Sequence, residues 1–169
     1  MELSEKTFSS QANFHLAGII PIAGQPLNYK MPYPDCLLPI APDYTMIEAA
    51  VVEAAFAGCD TIWIICKDRD RRDCLSWSVL HGAITALKVS DQISKWLIPD
   101  KYYVSFPYGI MDPRPLRKAR KKIKRKKNFY VVSEDETVQD NNFLSFTFGK
   151  DEFVIYRRNV RKGTGMYTS

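Results

Sequence analysis

The chain is 169 residues long, 46% hydrophobic and 25% charged, with a formal net charge of +5. That length favours one domain with a buried core, and the apolar share excludes a disordered polymer. No apolar run reaches about 18 residues, which excludes a membrane-spanning helix.

The first fifteen residues, MELSEKTFSSQANFH, are polar and acidic where a secretory signal is basic and then apolar. Residues 1–15 therefore read as an N-terminal extension, 16–157 as one domain and 158–169 as a basic tail. The expected location is the cytoplasm. His15 to Ile22 is apolar on both faces, as in a central parallel strand. A loop of about twenty residues follows, with five prolines between Pro26 and Pro42; ordered loops of that length usually carry function. Thr45 and Glu48 form a capping box, and the helix they open runs to about Ala57, where Gly58 stops it. Thr61 to Cys66, TIWIIC, reads as a second buried strand.

A helix is expected from about Cys74 to Val89, with Leu75, Val79, Ala83 and Leu87 on one face. Tyr102 to Phe106 is the third strand. Pro113 opens the next helix, capped by Asp112, with a narrow apolar stripe of Leu116, Ala119 and Ile123. Phe129 to Val132, Phe143 to Phe148 and Phe153 to Tyr156 read as three further strands, the last two joined by a turn near Gly149. The order implies an α/β fold with an open, mainly parallel sheet and a small C-terminal β unit. Ligands of such sheets lie beyond the carboxyl ends of the strands. The loops Ala23–Pro42, Lys67–Arg72 and Pro107–Asp112 meet there.

Several stretches resemble the N-terminal half of the nucleotide-diphospho-sugar pyrophosphorylases, nucleotidyltransferases with a GT-A-like sheet. IIPIAG matches their first strand, which ends in alanine-glycine. PDCLLPIAP corresponds to their proline-lysine-proline-leucine-leucine-proline motif. TMIEAAVVEAAFAGCDTIWIIC matches the helix and strand that follow. LHGAITALKVSDQI is similar to the helix beside the nucleotide base, and KYYVSFPYGIMDPRPLRKA to the strand ending at a metal-binding aspartate.

The resemblance spans Ala17 to Lys127 and implies an enzyme joining a sugar 1-phosphate to a nucleoside triphosphate with release of pyrophosphate. It places Ala23, Gly24, Gln25, His81 and Gly82 at a nucleotide or nucleotide-sugar and implies Mg²⁺ as cofactor. The family's phosphate-binding loop has a second glycine and an arginine, whereas QPLNYKMPY has neither, leaving Lys30 as its cation. The family's sugar-phosphate lysine falls on Asp35, and its metal-binding aspartate on Tyr108 or Gly109. Lys30 and Asp35 are thus the catalytic candidates and Asp112 the metal candidate, with helix capping as its structural alternative. His81 has a structural helix role as its alternative, and a triad of Ser78, His81 and an aspartate lacks the glycine-x-serine-x-glycine elbow.

Nine of the eleven residues from Arg117 to Lys127 are basic, and the remainder of the chain is net acidic. A surface helix usually intersperses acids at i+4. Lys118, Lys121, Lys122, Lys124 and Arg125 are therefore candidate contacts for nucleic acid or an acidic protein, against the plainer reading of a solvated face. The altered motifs and this helix together leave a second reading, a non-catalytic binding or assembly module whose compact form resembles small proteins of large tailed phages. Cys36, Cys59, Cys66 and Cys74 lack CxxC spacing and read as free thiols.

Overall fold

The computed structural model describes residues 14–22, 34–66, 75–125, 128–132, 143–150, 152–155 and 157. β1 (Leu16–Pro21) leads to a 3-10 turn at Asp35–Leu37 and a small hairpin of β2 (Pro39–Ala41) and β3 (Tyr44–Thr45). Then come α1 (Met46–Ala57), β4 (Thr61–Ile65), α2 (Leu75–Ile93), β5 (Lys101–Ser105), α3 (Arg114–Ile123), β6 (Tyr130–Val132) and β7 (Phe143–Gly149). Five strands form one sheet in the order β4-β1-β5-β7-β6. β1 pairs in parallel with β4 (Ile19 opposite Trp63) and with β5 (Gly18 opposite Tyr103). β7 runs antiparallel to both β5 and β6.

The three parallel strands expected from the sequence are therefore adjacent, and the fold is α/β with a mixed, mainly parallel sheet. β1 lies between two strands and is buried along its whole length, which explains its unbroken apolar run. Alternate residues serve opposite faces. Leu16 and Tyr103 pack with Ala54 and Ala57 of α1 and Leu116 and Ile123 of α3. Ala17, Ile19, Tyr102 and Val104 pack with Val79, Leu80, Ala83 and Ala86 of α2, joined by Phe146 and Phe148 of β7.

Local signals act as read. The Thr45 N–H donates to Glu48 Oε2 at 2.7 Å. At the other end of α1, the Gly58 N–H donates to the Ala55 carbonyl and the Cys59 N–H to that of Ala54, each at 3.1 Å, around Gly58 at φ 94°. This is the paired closure that a left-handed glycine permits.

Four expectations need correction. β4 is an edge strand, with Ile64 43% exposed, so its apolar run does not mark burial on both faces. α2 continues to Ile93, beyond Val89. α3, expected over Pro113 to Lys127, begins at Arg114, with Pro113 as its N-cap and not its first residue, and ends at Ile123. The strand expected at Phe153 to Tyr156 is helix over its described part, because positions 150, 152–155 and 157 are helical and Tyr156 lies outside the described residues. Its cause is a capping contact: Glu152 Oε2 accepts the Gly149 N–H at 2.9 Å, as a glutamate three residues into a helix does. Phe153 then stacks near Tyr102, ring centroids 5.9 Å apart.

The amino edge of the sheet is held by two aspartates. Asp60 accepts the Leu16 N–H and Asp100 the His15 N–H, each at 2.9 Å. Lys124 pairs with Asp60 and Lys150 with Asp100. His15 is buried here, with Nε2 2.9 Å from Thr61 Oγ1, and burial lowers its pKa. It lies at the end of the sheet opposite the expected ligand edge.

Candidate functional site

The carboxyl ends of β4, β1 and β5 lie side by side, and those of β1 and β4 are joined at their tips by the Ile22 N–H donating to the Ile65 carbonyl at 3.0 Å. The chain moves from β1 to β4 on one side and returns past β1 to β5 on the other, with α1 and α2 on opposite faces. That reversal opens a crevice where ligands of open α/β sheets bind.

The segment after β1 re-enters this edge at the 3-10 turn. Its Leu38 N–H bonds back to the Asp35 carbonyl at 3.0 Å, and the Met46 N–H to the Leu38 carbonyl at 3.1 Å, docking the turn against the start of α1. The turn buries Asp35 and Cys36, which are 6% and 3% exposed. Asp35 Oδ2 is fully buried and has no hydrogen-bond partner among the described residues. A carboxylate oxygen left that way costs at least about 1–3 kcal/mol, so the position carries a penalty that packing alone does not explain.

Cys36 and Tyr108 gather around this carboxylate. Burial, then the neighbouring Cys66 and Asp35, push the Cys36 thiol up. Burial, Asp35 and Cys36 raise the Tyr108 phenol in the same way. Tyr108 stays 37% exposed and forms the outer wall. Among the described residues no three histidine, cysteine or acidic side chains form a metal cluster.

Beneath the edge lies a polar network that the sequence reading missed. Glu53 of α1 is 3% exposed and accepts the Tyr103 hydroxyl at 2.6 Å, while that hydroxyl lies 2.8 Å from Ser145 Oγ. Burial lifts the Glu53 pKa to about 7, opposed by contacts with Tyr103, Ser105 and Ser145. Ser105 Oγ lies close enough to favour the Glu53 charge but has no hydrogen bond of good geometry. A tyrosine hydroxyl has one proton, so Ser145 donates to Tyr103 when Tyr103 donates to an ionised Glu53. With Glu53 protonated the chain of donors reverses. A signal was present: Glu53 falls on the same helical face as Met46, Ala50, Ala54 and Ala57, all buried.

Ala23, Gly24, Gln25 and Lys30 lie outside the described residues. His81 is exposed on α2 and has no hydrogen-bond partner among the described residues. Gly82 faces the sheet: a Cβ there would come within 2.8 Å of Ile19 Cγ2 and 2.9 Å of Ile65 Cγ1. Its lack of a side chain sets the approach of α2 to β1 and β4, just below the crevice.

Asp112 accepts the Arg114 N–H at 3.0 Å, and both its oxygens bond the Arg114 guanidinium. Those bonds hold its carboxyl below the ordinary range. Its present role is to start α3. Of the basic candidates on α3 and just past its end, Lys118, Lys121, Lys122 and Arg125 are exposed, whereas Lys124 is half-buried and tied to Asp60. The thiol of Cys59 is pushed up to about 12 by burial, and Cys36, Cys59 and Cys66 are all free.

Solved structures share this fold. Rv0371c from Mycobacterium tuberculosis H37Rv superposes with a TM-score of 0.54 at 15% identity, over 88% of this chain and 81% of its own. The complex of Rv0371C with manganese gives 0.51 at 15% identity, over 88% and 80%. Likeness at that identity shows a common fold. No family model matches the sequence, and no curated protein does.

Proposed function

We propose that the protein is a nucleotidyltransferase-like protein with a GT-A-like sheet, binding a nucleotide and a divalent cation together at the carboxyl edge. The observation that carries this reading is the buried Asp35 carboxylate, with Oδ2 unpartnered among the described residues, in a turn docked at the reversal point of the parallel strands. The resemblance of Ala17 to Lys127 to the nucleotide-diphospho-sugar pyrophosphorylases supplies the reaction class. The manganese complex of a protein of like fold is consistent with a divalent ion.

The donor set suits a particular mode of metal binding. A hard divalent cation is commonly held by one or two carboxylates and completed by substrate phosphates and water. Asp35 is one such carboxylate, and no ready-made cluster accompanies it among the described residues. The ion then arrives with the nucleotide, Asp35 holds it, and the ion supplies positive charge against the phosphates. Tyr108 closes the outer side, and the Gly82 approach brings α2 close beneath. Here a carboxylate replaces the family's sugar-phosphate lysine, so charge at this point favours a metal-bridged phosphate over a bare one.

Calorimetry with the four nucleoside triphosphates, each with and without Mn²⁺ or Mg²⁺, tests this reading. Binding should require both components, and Asp35→Asn should weaken it at least tenfold without loss of fold. Nucleotide binding that ignores the metal, or that survives Asp35→Asn unchanged, defeats the proposal. A second reading keeps the nucleotide site without group transfer, favoured by the acidic residue at the family's lysine position. Pyrophosphate release with sugar 1-phosphates separates the two: metal-dependent binding without release supports the non-catalytic module.

A further inference from the structure

The basic residues of α3 divide into two sets by what they touch. Arg114 pairs with Asp112, Arg120 Nη2 donates to the Ala55 carbonyl at 2.8 Å, and Lys124 pairs with Asp60. Arg117, Lys118, Lys121, Lys122 and Arg125 are exposed and have no partner among the described residues. At 100° per residue the four of these on α3, Arg117, Lys118, Lys121 and Lys122, fall within one stripe about 140° wide, on the side away from buried Leu116 and Ile123, and Arg125 follows just past the helix end. From Arg117 to Lys122 the stripe is about 7.5 Å long at 1.5 Å per residue. Five cations at this density lie within a Debye length of one another and repel, so the free surface is under electrostatic tension.

We propose that this stripe binds the phosphate backbone of duplex DNA, independently of the carboxyl-edge site. Three features favour that occupant. The stripe holds no aromatic side chain on which single-stranded bases would stack. Its cations are exposed arginines and lysines with no partner of their own among the described residues, the side chains that supply most contacts to phosphate oxygens. Outside residues 117–127 the chain is net acidic, which repels the polyanion elsewhere and orients this basic stretch toward it. Contacts of this kind position a protein without reading sequence.

The test is fluorescence anisotropy with a labelled DNA duplex of arbitrary sequence between 50 and 200 mM salt. Matched RNA duplex, single-stranded DNA and poly-glutamate serve as competitors. Five phosphate contacts give a slope of log affinity on log salt near −4.5, a loss of about 500-fold over that range. Changing Arg117, Lys118, Lys121, Lys122 and Arg125 together to glutamine should abolish binding at unchanged melting temperature. Each single change should reduce the slope by about 1, which keeps the test valid if the fivefold variant folds poorly. Lys124→Gln should leave the slope nearly unchanged. Absent or salt-insensitive DNA binding overturns the proposal. Equal or tighter binding of poly-glutamate overturns it in favour of an acidic protein, and tighter binding of either competing nucleic acid overturns the choice of duplex DNA.

Discussion

Glu53 is a carboxylate with a pKa near 7 in a site 3% exposed, bonded to Tyr103. Its folded pKa lies above its unfolded value of 4.5, so the native state holds the extra proton between those limits. The stabilisation linked to that proton is complete below about pH 4.5 and is lost as pH rises through about 7. The shift corresponds to an upper bound of about 3 kcal/mol. Urea denaturation at pH 5 and pH 8 should show the protein less stable at the higher pH from this group. Glu53→Gln should flatten that difference, and an unchanged pH profile would show that Glu53 titrates normally. Asp35 invites the complementary measurement. Because its buried oxygen has no partner among the described residues, Asp35→Asn should leave stability unchanged or raise it by about 1 kcal/mol, measured by the same denaturation. Asp35 was legible from the motif it interrupts; Glu53 was legible only as a polar member of an apolar stripe, a pattern easily taken for a solvent-facing residue.

Lys101 shows how one element holds another. It is 1% exposed, and its Nζ donates to the Ile123 and Arg125 carbonyls at 2.8 Å each. The carbonyls at a helix C-terminus carry partial negative charge, so a buried ammonium there both bonds them and meets the dipole. Lys101→Met keeps the stem and removes the donors, and should destabilise the protein by about 2–3 kcal/mol in denaturant titrations. The sequence reading began this strand at Tyr102 because a lysine does not look like a core residue; only the return of α3 to the amino edge makes it one. Gly82 is the matching case on the other face. Gly82→Ala inserts a methyl against Ile19 and Ile65, and α2 must move or those side chains must leave their rotamers. A loss of about 1–3 kcal/mol is expected. The C-terminal misreading had a similar cause: FVIY carries strand propensity, yet the Gly149–Glu152 contact sets a helix going before propensity can act.

At the scale of the whole molecule, the parallel β4-β1-β5 unit was readable because each strand is short, apolar and separated by a capped helix. The edge position of β4 was not, since pairing partners are chosen by the rest of the chain and not by the strand's own residues. The same holds for the carboxyl-edge cluster: Asp35, Cys36, Cys66 and Tyr108 come from three separate segments, and only the sheet brings them together. The placement of β7 has a further consequence for how the chain is made. β7 is the last of the described strands in chain order, yet it lies between β5 and β6, which precede it. On a ribosome, β4, β1 and β5 can pair while the chain is still growing, but β6 has no neighbour until residues 143–149 emerge. Until then β5 presents an open edge, and Tyr103 and Glu53 wait for Ser145 to complete their contacts. Folding is therefore gated by the C-terminal strand: a nascent chain paused before Phe143 would expose a paired half-sheet with a bare edge, the form most open to capture by another strand.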